Sequence, residues 1–470
     1  MTKIQSVINK QYPEHIAVIT ENGESYTYRA LLDDVANAAK PLQQKALLFI
    51  IGNNDYPCLV HYLAAIEAEV VVLFLSANMA TEQLETLVCT YRPDYVLTKA
   101  KKASIFSKYT VLSSQDQYQL LCDPLNKPHS LHPQLAFLAS TSGSTGSPKL
   151  VRFSRQNLLS NAQAIKEYLS ITPLERAIVH LPISYSYGLS IVNSHLLAGA
   201  SIYLTNETIM DKSFWENMTA HEITSFSGVP FHYESLLRMK LDTMKLPHLR
   251  TMTQAGGKLA ERYLSKIQTL TNKMGINFWV MYGQTEASPR ISYMQPSDFN
   301  THLGSIGKAI PRGKLWLQDE QGNDITESGD IGELVYEGDN VCLGYAETIF
   351  DLSKGDENQG ILKTGDLASC KQGYFYIEGR LKRFIKVFGN RISLSHVEAT
   401  LQELGYESVA FGTDDKLNIA IVNGEEIDLR TLKKTFAELF SINFTAIKIQ
   451  TVSHIPRLES GKVDYQCLMK

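Results

Sequence analysis

Two short apolar runs, ALLFII at 46–51 and VVVLFL at 70–75, constrain this chain more than any other feature. Each has strand length and β-branched content but no polar alternation, so neither face can be left in water. They alternate with helical patterns such as EQLETLVCTY at 82–91. Strand and helix in alternation predict βα units around buried sheets, and the fold class is α/β. A chain of 470 residues has room for a large core and a second domain.

The texture changes from about Gly304. WLQDEQGNDI at 316–325 and GELVYEG at 332–338 read as short strands joined by glycine turns, which predicts an antiparallel appendage. A basic, turn-marked segment, GRLKRFIKVFGNRIS at 379–393, precedes a final stretch that returns to a small α/β pattern. A domain boundary is expected near Lys382, giving domains 1–381 and 382–470.

The net charge of −4 and the scattered basic residues offer no footprint for a nucleic-acid backbone, so the expected partner is a small molecule. The N-terminus lacks an apolar signal run. The greasiest region, 58–75, is interrupted by His61, Glu67 and Glu69, so no membrane insertion and a cytoplasmic location are expected. Six cysteines form no C-x-x-C pair and read as reduced, mostly core thiols.

Chemistry concentrates first in TSGSTGSPK, 141–149, which holds two glycines and five hydroxyl side chains and ends in Pro-Lys. LAFLAS before it and LVRFS after it read as strands, and Ser154 reads as the N-cap of the helix RQNLLSNAQAIKEYL. A Walker loop runs from strand to helix with Gly-Lys-Ser/Thr at its end. Here Pro148 and Leu150 stand in the way. Phosphate binding still fits: Gly143 and Gly146 let backbone N–H groups approach an anion, Ser142, Ser144 and Thr145 add hydroxyls, and Lys149 adds a point charge. A Ser/Gly linker is the plainer alternative, and a Pro-Lys ending between apolar strands speaks against it.

With this loop the chain resembles the adenylate-forming superfamily of acyl-CoA synthetases, peptide-synthetase adenylation domains and luciferases. The resemblance runs through AGGKL (255–259), MYGQTEAS (281–288), GELVYEGDNVCLGY (332–345), KTGD (363–366), GRLKRFIKVFGNRI (379–392) and PRLESGK (456–462). It implies a large N-terminal domain of two α/β subdomains with a small β-barrel-like part, then a small mobile α/β C-terminal domain. It implies MgATP as substrate, with Thr141, Ser142, Gly143, Ser144, Thr145, Gly146 and Lys149 on the phosphates. Gly256, Gly257, Tyr282 and Gly283 would serve the purine, Thr285 a phosphate, and Glu286 Mg²⁺. Asp366 and Arg380 would serve the ribose. Lys462 would bridge the substrate carboxylate and α-phosphate. Lys382 would be the hinge, and Gly389 would lie on the thiol tunnel.

By the same resemblance, Tyr185 and Tyr187 in LPISYSYGLS face the carboxylic acid, with Ser227, Gly228, Gln254, Ala255, Met281 and Ala287 shaping the rest of the pocket. Amino-acid-activating relatives carry an aspartate in this segment; PISYSYG has none, so neutral-chain or aryl acids are expected over α-amino acids. Leu150 and Leu394 depart from the common pattern, and the terminal domain is short. The implied activity is an AMP-forming acid–thiol ligase using coenzyme A. Loading the phosphopantetheine of an acyl carrier protein is the nearest alternative. An inactive adenylate-binding module and a luciferase-like oxygenase are further ones.

Overall fold

A computed structural model describes residues 7–125, 129–140, 149–381, 383–387, 390–413, 415–422, 428–440, 442–458, 461 and 463–469. The chain forms two compact units. One comprises Met1–Leu315 with Tyr336–Leu362, the other Trp316–Val335 with Lys363–Lys470. The α/β class is as expected, and the sheets are mixed.

The first unit holds two large sheets. In the eight-stranded sheet, Leu47–Gly52 lies between the parallel strands Val71–Ser76 and Tyr95–Lys99, and helix Tyr56–Glu67 makes the crossover. Leu48 and Ile50 enter one core cluster while Leu47, Phe49 and Ile51 enter another. Both faces are therefore covered, which is why the run shows no polar alternation. Leu135–Ser140 and Leu150–Ser154 are antiparallel neighbours in this sheet, with Ser140 opposite Leu150. Strand leads to strand around 141–149, as read from the sequence. Ser154 then caps helix Arg155–Tyr168, its side chain accepting from the Asn157 backbone while Asn157 reaches back to the Ser154 N–H.

The nine-stranded sheet has a parallel centre: Ser201–Leu204, Arg176–Val179, Ser225–Gly228, Thr251–Gln254 and Asn277–Tyr282. Helices Arg155–Tyr168 and Ser186–Ala198 share one core with residues of both sheets, among them Phe137 and Phe153 from the first and Val179 and Ile202 from the second. Among the described residues no helix is long and apolar enough to cross a membrane.

In the second unit, the expected appendage is a five-stranded sheet. Lys314–Gln318 pairs antiparallel with Asp324–Ile325 and Ile361–Lys371 with Tyr374–Arg380. Beyond it, the three-stranded sheet Ser408–Thr413, Lys416–Val422 and Ile447–Val452 packs with helices Leu394–Glu403 and Leu429–Leu439 around a core drawn wholly from residues 385–447. Arg383 forks onto Glu398 at 2.7 and 3.0 Å and also donates to the Ala410 carbonyl, fixing the chain entering this core to its first helix.

The cysteine expectation needs correction. All six are free, but Cys89 and Cys467 are exposed and only Cys58 and Cys342 are buried.

Candidate active site

Parallel strands that end together leave a crevice beyond their carboxyl ends, and α/β proteins place ligands there. Three neighbouring strands of the nine-stranded sheet end at Gly228, Gln254 and Tyr282, with Gly228 directly opposite Gln254. The segments that follow these ends, together with the loop after Val179, carry Tyr185, Gly256, Gly257, Thr285 and Glu286.

Glu286 sits in a short 3₁₀ turn, Thr285–Ala287, and its carboxylate accepts the Tyr345 hydroxyl at 2.8 Å. Lys149 Nζ stands 3.8 Å from the centroid of the same Tyr345 ring and 3.8 Å from Glu347. One tyrosine thus ties the last residue of the TSGSTGSPK loop to the carboxylate of YGQTE. Tyr345 belongs to strand Gly344–Ala346, paired antiparallel with Leu150–Ser154 immediately after Lys149, so sheet register brings the two motifs together. Thr285 Oγ1 is 3.4 Å from Ser186 Oγ in the first turn of helix Ser186–Ala198.

Gly283 cannot carry a side chain, because a Cβ there would lie 1.6 Å from the Pro289 carbonyl oxygen. Gly256 has φ +84°, and its Cβ would meet the Tyr185 hydroxyl at 2.7 Å and Val229 at 3.1 Å. The glycine turn and Tyr185 are therefore in direct contact. Gln254 donates to the Gly257 carbonyl at 2.8 Å and holds the turn from below. Tyr282 lies at the strand end with Gln284 Nε2 3.3 Å from its hydroxyl.

The predicted pocket residues are mostly buried. Tyr187 is 1 % exposed, and its hydroxyl is 2.9 Å from Thr253 Oγ1 and 3.0 Å from the Thr253 carbonyl; Thr253 in turn donates to Ser227 at 2.9 Å. Met281 accepts the Tyr168 hydroxyl on its sulfur at 2.9 Å, and Ala287 is fully buried. Burial pushes the Tyr185 phenol up to about 12 and raises Tyr187 and Tyr168 as well, opposed in each case by the positive charge of Arg290.

Asp366 and Arg380 belong to the second unit, directly opposite each other on adjacent strands, with Arg380 Nε 2.8 Å from Asp366 Oδ1. The Asp366 N–H donates to Thr364 Oγ1. Thr141, Ser142, Gly143, Ser144, Thr145, Gly146, Lys382, Gly389 and Lys462 lie outside the described residues.

Two residues escaped sequence reasoning. Tyr345 closes the quoted segment GELVYEGDNVCLGY, but its aromatic bridge exists only through strand pairing. Arg290 follows YGQTEASP directly; it is 3 % exposed, and its Cζ lies 4.2 Å from the centroid of the Tyr187 ring. A cation straight after a motif of small and polar residues was the available signal.

Regarding Mg²⁺, Glu286 offers a single carboxylate, and no group of three metal-ligating side chains exists among the described residues.

The family model described as AMP-binding enzyme matches residues 6–346. The chain is 26% identical over 339 residues to the acyl-CoA ligase M9 of Phoma sp., covering 69% of this chain and 62% of that protein. It is 25% identical over 492 residues to gramicidin S synthase 2 of Aneurinibacillus migulanus, of which it spans only 11%. Among solved structures, it is similar to ATP-bound MatB from Rhodopseudomonas palustris, with a TM-score of 0.81 at 23% identity, covering 98% of this chain and 96% of that one.

Proposed function

The chain belongs to the AMP-binding enzyme family, and from that premise we propose that it is an AMP-forming acid–thiol ligase that activates a small carboxylic acid lacking an α-ammonium group. The observation that carries this reading is the Lys149–Tyr345–Glu286 arrangement. A cation and a carboxylate held on one aromatic ring suit a metal-bound triphosphate, which presents negative oxygens to the first and a divalent ion to the second. Mg²⁺, held by Glu286, would draw charge from the phosphates.

In the first half-reaction a carboxylate oxygen bonds to the α-phosphorus of ATP. The bond between the α-phosphorus and the oxygen bridging it to the β-phosphorus breaks, and its electron pair departs on that oxygen with pyrophosphate. Lys149 and the loop 141–146 hold the departing phosphates. Tyr282, Gly256 and Gly257 hold the adenine, Asp366 and Arg380 the ribose, and Lys462 the charge passing between carboxylate and α-phosphate. In the second half-reaction a thiol sulfur bonds to the acyl carbon, the bond to AMP breaks, and the thiol proton leaves to solvent. Coenzyme A is the proposed thiol, in the cytoplasm, consistent with the acyl-CoA ligase among the relatives. Residues 382–470 act as a lid pivoting at Lys382; a hydrophobic core of their own supports this.

ATP–pyrophosphate exchange across aliphatic, aromatic and amino acids tests the reading. Exchange is expected with at least one acid lacking an α-ammonium group, and an α-amino acid with the highest kcat/KM would overturn the substrate assignment. No exchange with any acid would leave a nucleotide-binding module. With the best acid, thioester formation on coenzyme A is expected to exceed that on a holo acyl carrier protein, and the reverse order would replace the thiol.

A further inference from the structure

Arg290 is a buried cation that the adenylation chemistry above does not use. Its Nε has no hydrogen-bond partner, and no carboxylate pairs with the guanidinium among the described residues. Burying a charge without a counter-charge is strongly unfavourable, and the face of Tyr187 together with a hydrogen bond to the Tyr168 hydroxyl offsets only part of that. The groups around it supply no negative charge. Tyr168, Tyr185 and Tyr187 are all phenols that burial keeps protonated near neutral pH.

Its position separates it from the phosphates. In the first turn of helix Ser186–Ala198, Ser186 faces Thr285, the proposed phosphate contact, at 3.4 Å. The next residue, Tyr187, is turned about 100° around the helix. It faces Thr253 within the sheet and carries Arg290 on its ring. Tyr185, against the glycine turn at Gly256, stands beside both. Arg290 therefore lies beside Tyr185 and Tyr187, the two tyrosines assigned to the acid pocket.

We propose that Arg290 reads a second carboxylate on the substrate, so that the acid activated here is a dicarboxylic acid whose distal group pairs with this guanidinium. The proposal rests on the ligase reading and sharpens it. A guanidinium fork matches a carboxylate in plane and charge, and an acid without that group would leave the cation buried and unpaired.

The test is ATP–pyrophosphate exchange with length-matched pairs: butanoate against succinate, hexanoate against adipate, and benzoate against 1,4-benzenedicarboxylate. In at least one pair the diacid is expected to have the higher kcat/KM by about 10²-fold or more. Arg290→Met, similar in length but uncharged, is expected to abolish that preference by lowering the diacid rate while sparing or raising the monoacid rate. Arg290→Lys is expected to keep part of it. Preference for the monoacid in every pair overturns the proposal and leaves the ligase reading standing. A loss of mono- and diacid exchange to the same extent in both variants also overturns it, since Arg290 would then serve the reacting carboxylate or the fold. No exchange with any acid overturns both readings.

Discussion

Gly256→Ala is the substitution whose cost can be worked most directly from the geometry. The added Cβ meets two separable penalties. The residue has φ +84°, which any side chain resists, and the methyl would stand 2.7 Å from the Tyr185 hydroxyl and 3.1 Å from Val229 Cγ1. Left-handed backbone costs roughly 1–2 kcal/mol and overpacking about 1–3 kcal/mol, so the single change should destabilise by roughly 2–5 kcal/mol. The backbone penalty is independent of Tyr185, while most of the overlap is with its hydroxyl. Tyr185→Phe removes that oxygen, so Gly256→Ala should cost about 1 kcal/mol less when combined with Tyr185→Phe, and the double-mutant cycle isolates the contact. Urea unfolding followed by tryptophan fluorescence is the assay, because Trp215 and Trp279 report the first unit and Trp316 alone the second. Exchange kinetics on the same four proteins should show the KM for the acid rising with Gly256→Ala and partly recovering in the double variant. An equal cost in both backgrounds would refute the contact between the glycine turn and Tyr185.

Three further outcomes are expected. Glu286→Gln keeps an oxygen for Tyr345 but loses the charge, so exchange should fall by about 10²-fold or more at fixed Mg²⁺ with the unfolding midpoint little changed. Lys462→Ala should slow adenylation by roughly 10²- to 10³-fold and spare transfer from supplied acyl-adenylate, while Lys382→Pro should do the reverse; measuring the half-reactions separately decides it. His195 is wholly buried with its Nδ1 2.8 Å from the Ile191 carbonyl, and burial lowers its pKa to about 4. Its neutral form is favoured by the fold, so its contribution is present above pH 6.5 and disappears as pH falls from there towards 4, by roughly 3 kcal/mol. Unfolding midpoints of the wild type and His195→Gln between pH 7 and 4.5 should therefore converge on acidification.

The local architecture was legible because it rests on short-range rules. Two-sided burial of ALLFII and VVVLFL, the Ser154 cap and the hairpin in WLQDEQGNDI follow from spacing and turn chemistry within about fifteen residues. The motifs that carry the resemblance to the adenylate-forming superfamily were legible as well, because several of them recur in order along the chain. What sequence alone could not supply was which distant side chains meet. Lys149 reaches the neighbourhood of Glu286 only because Gly344–Ala346 pairs with Leu150–Ser154 and inserts the Tyr345 ring between them. Arg290 looked like an ordinary charge after a proline until packing enclosed it against Tyr187. Burial and cross-strand register are properties of the assembled sheets. The same arginine on an open surface would be solvated and would suggest nothing about the acid, whereas its burial without a counter-charge is what the diacid proposal rests on.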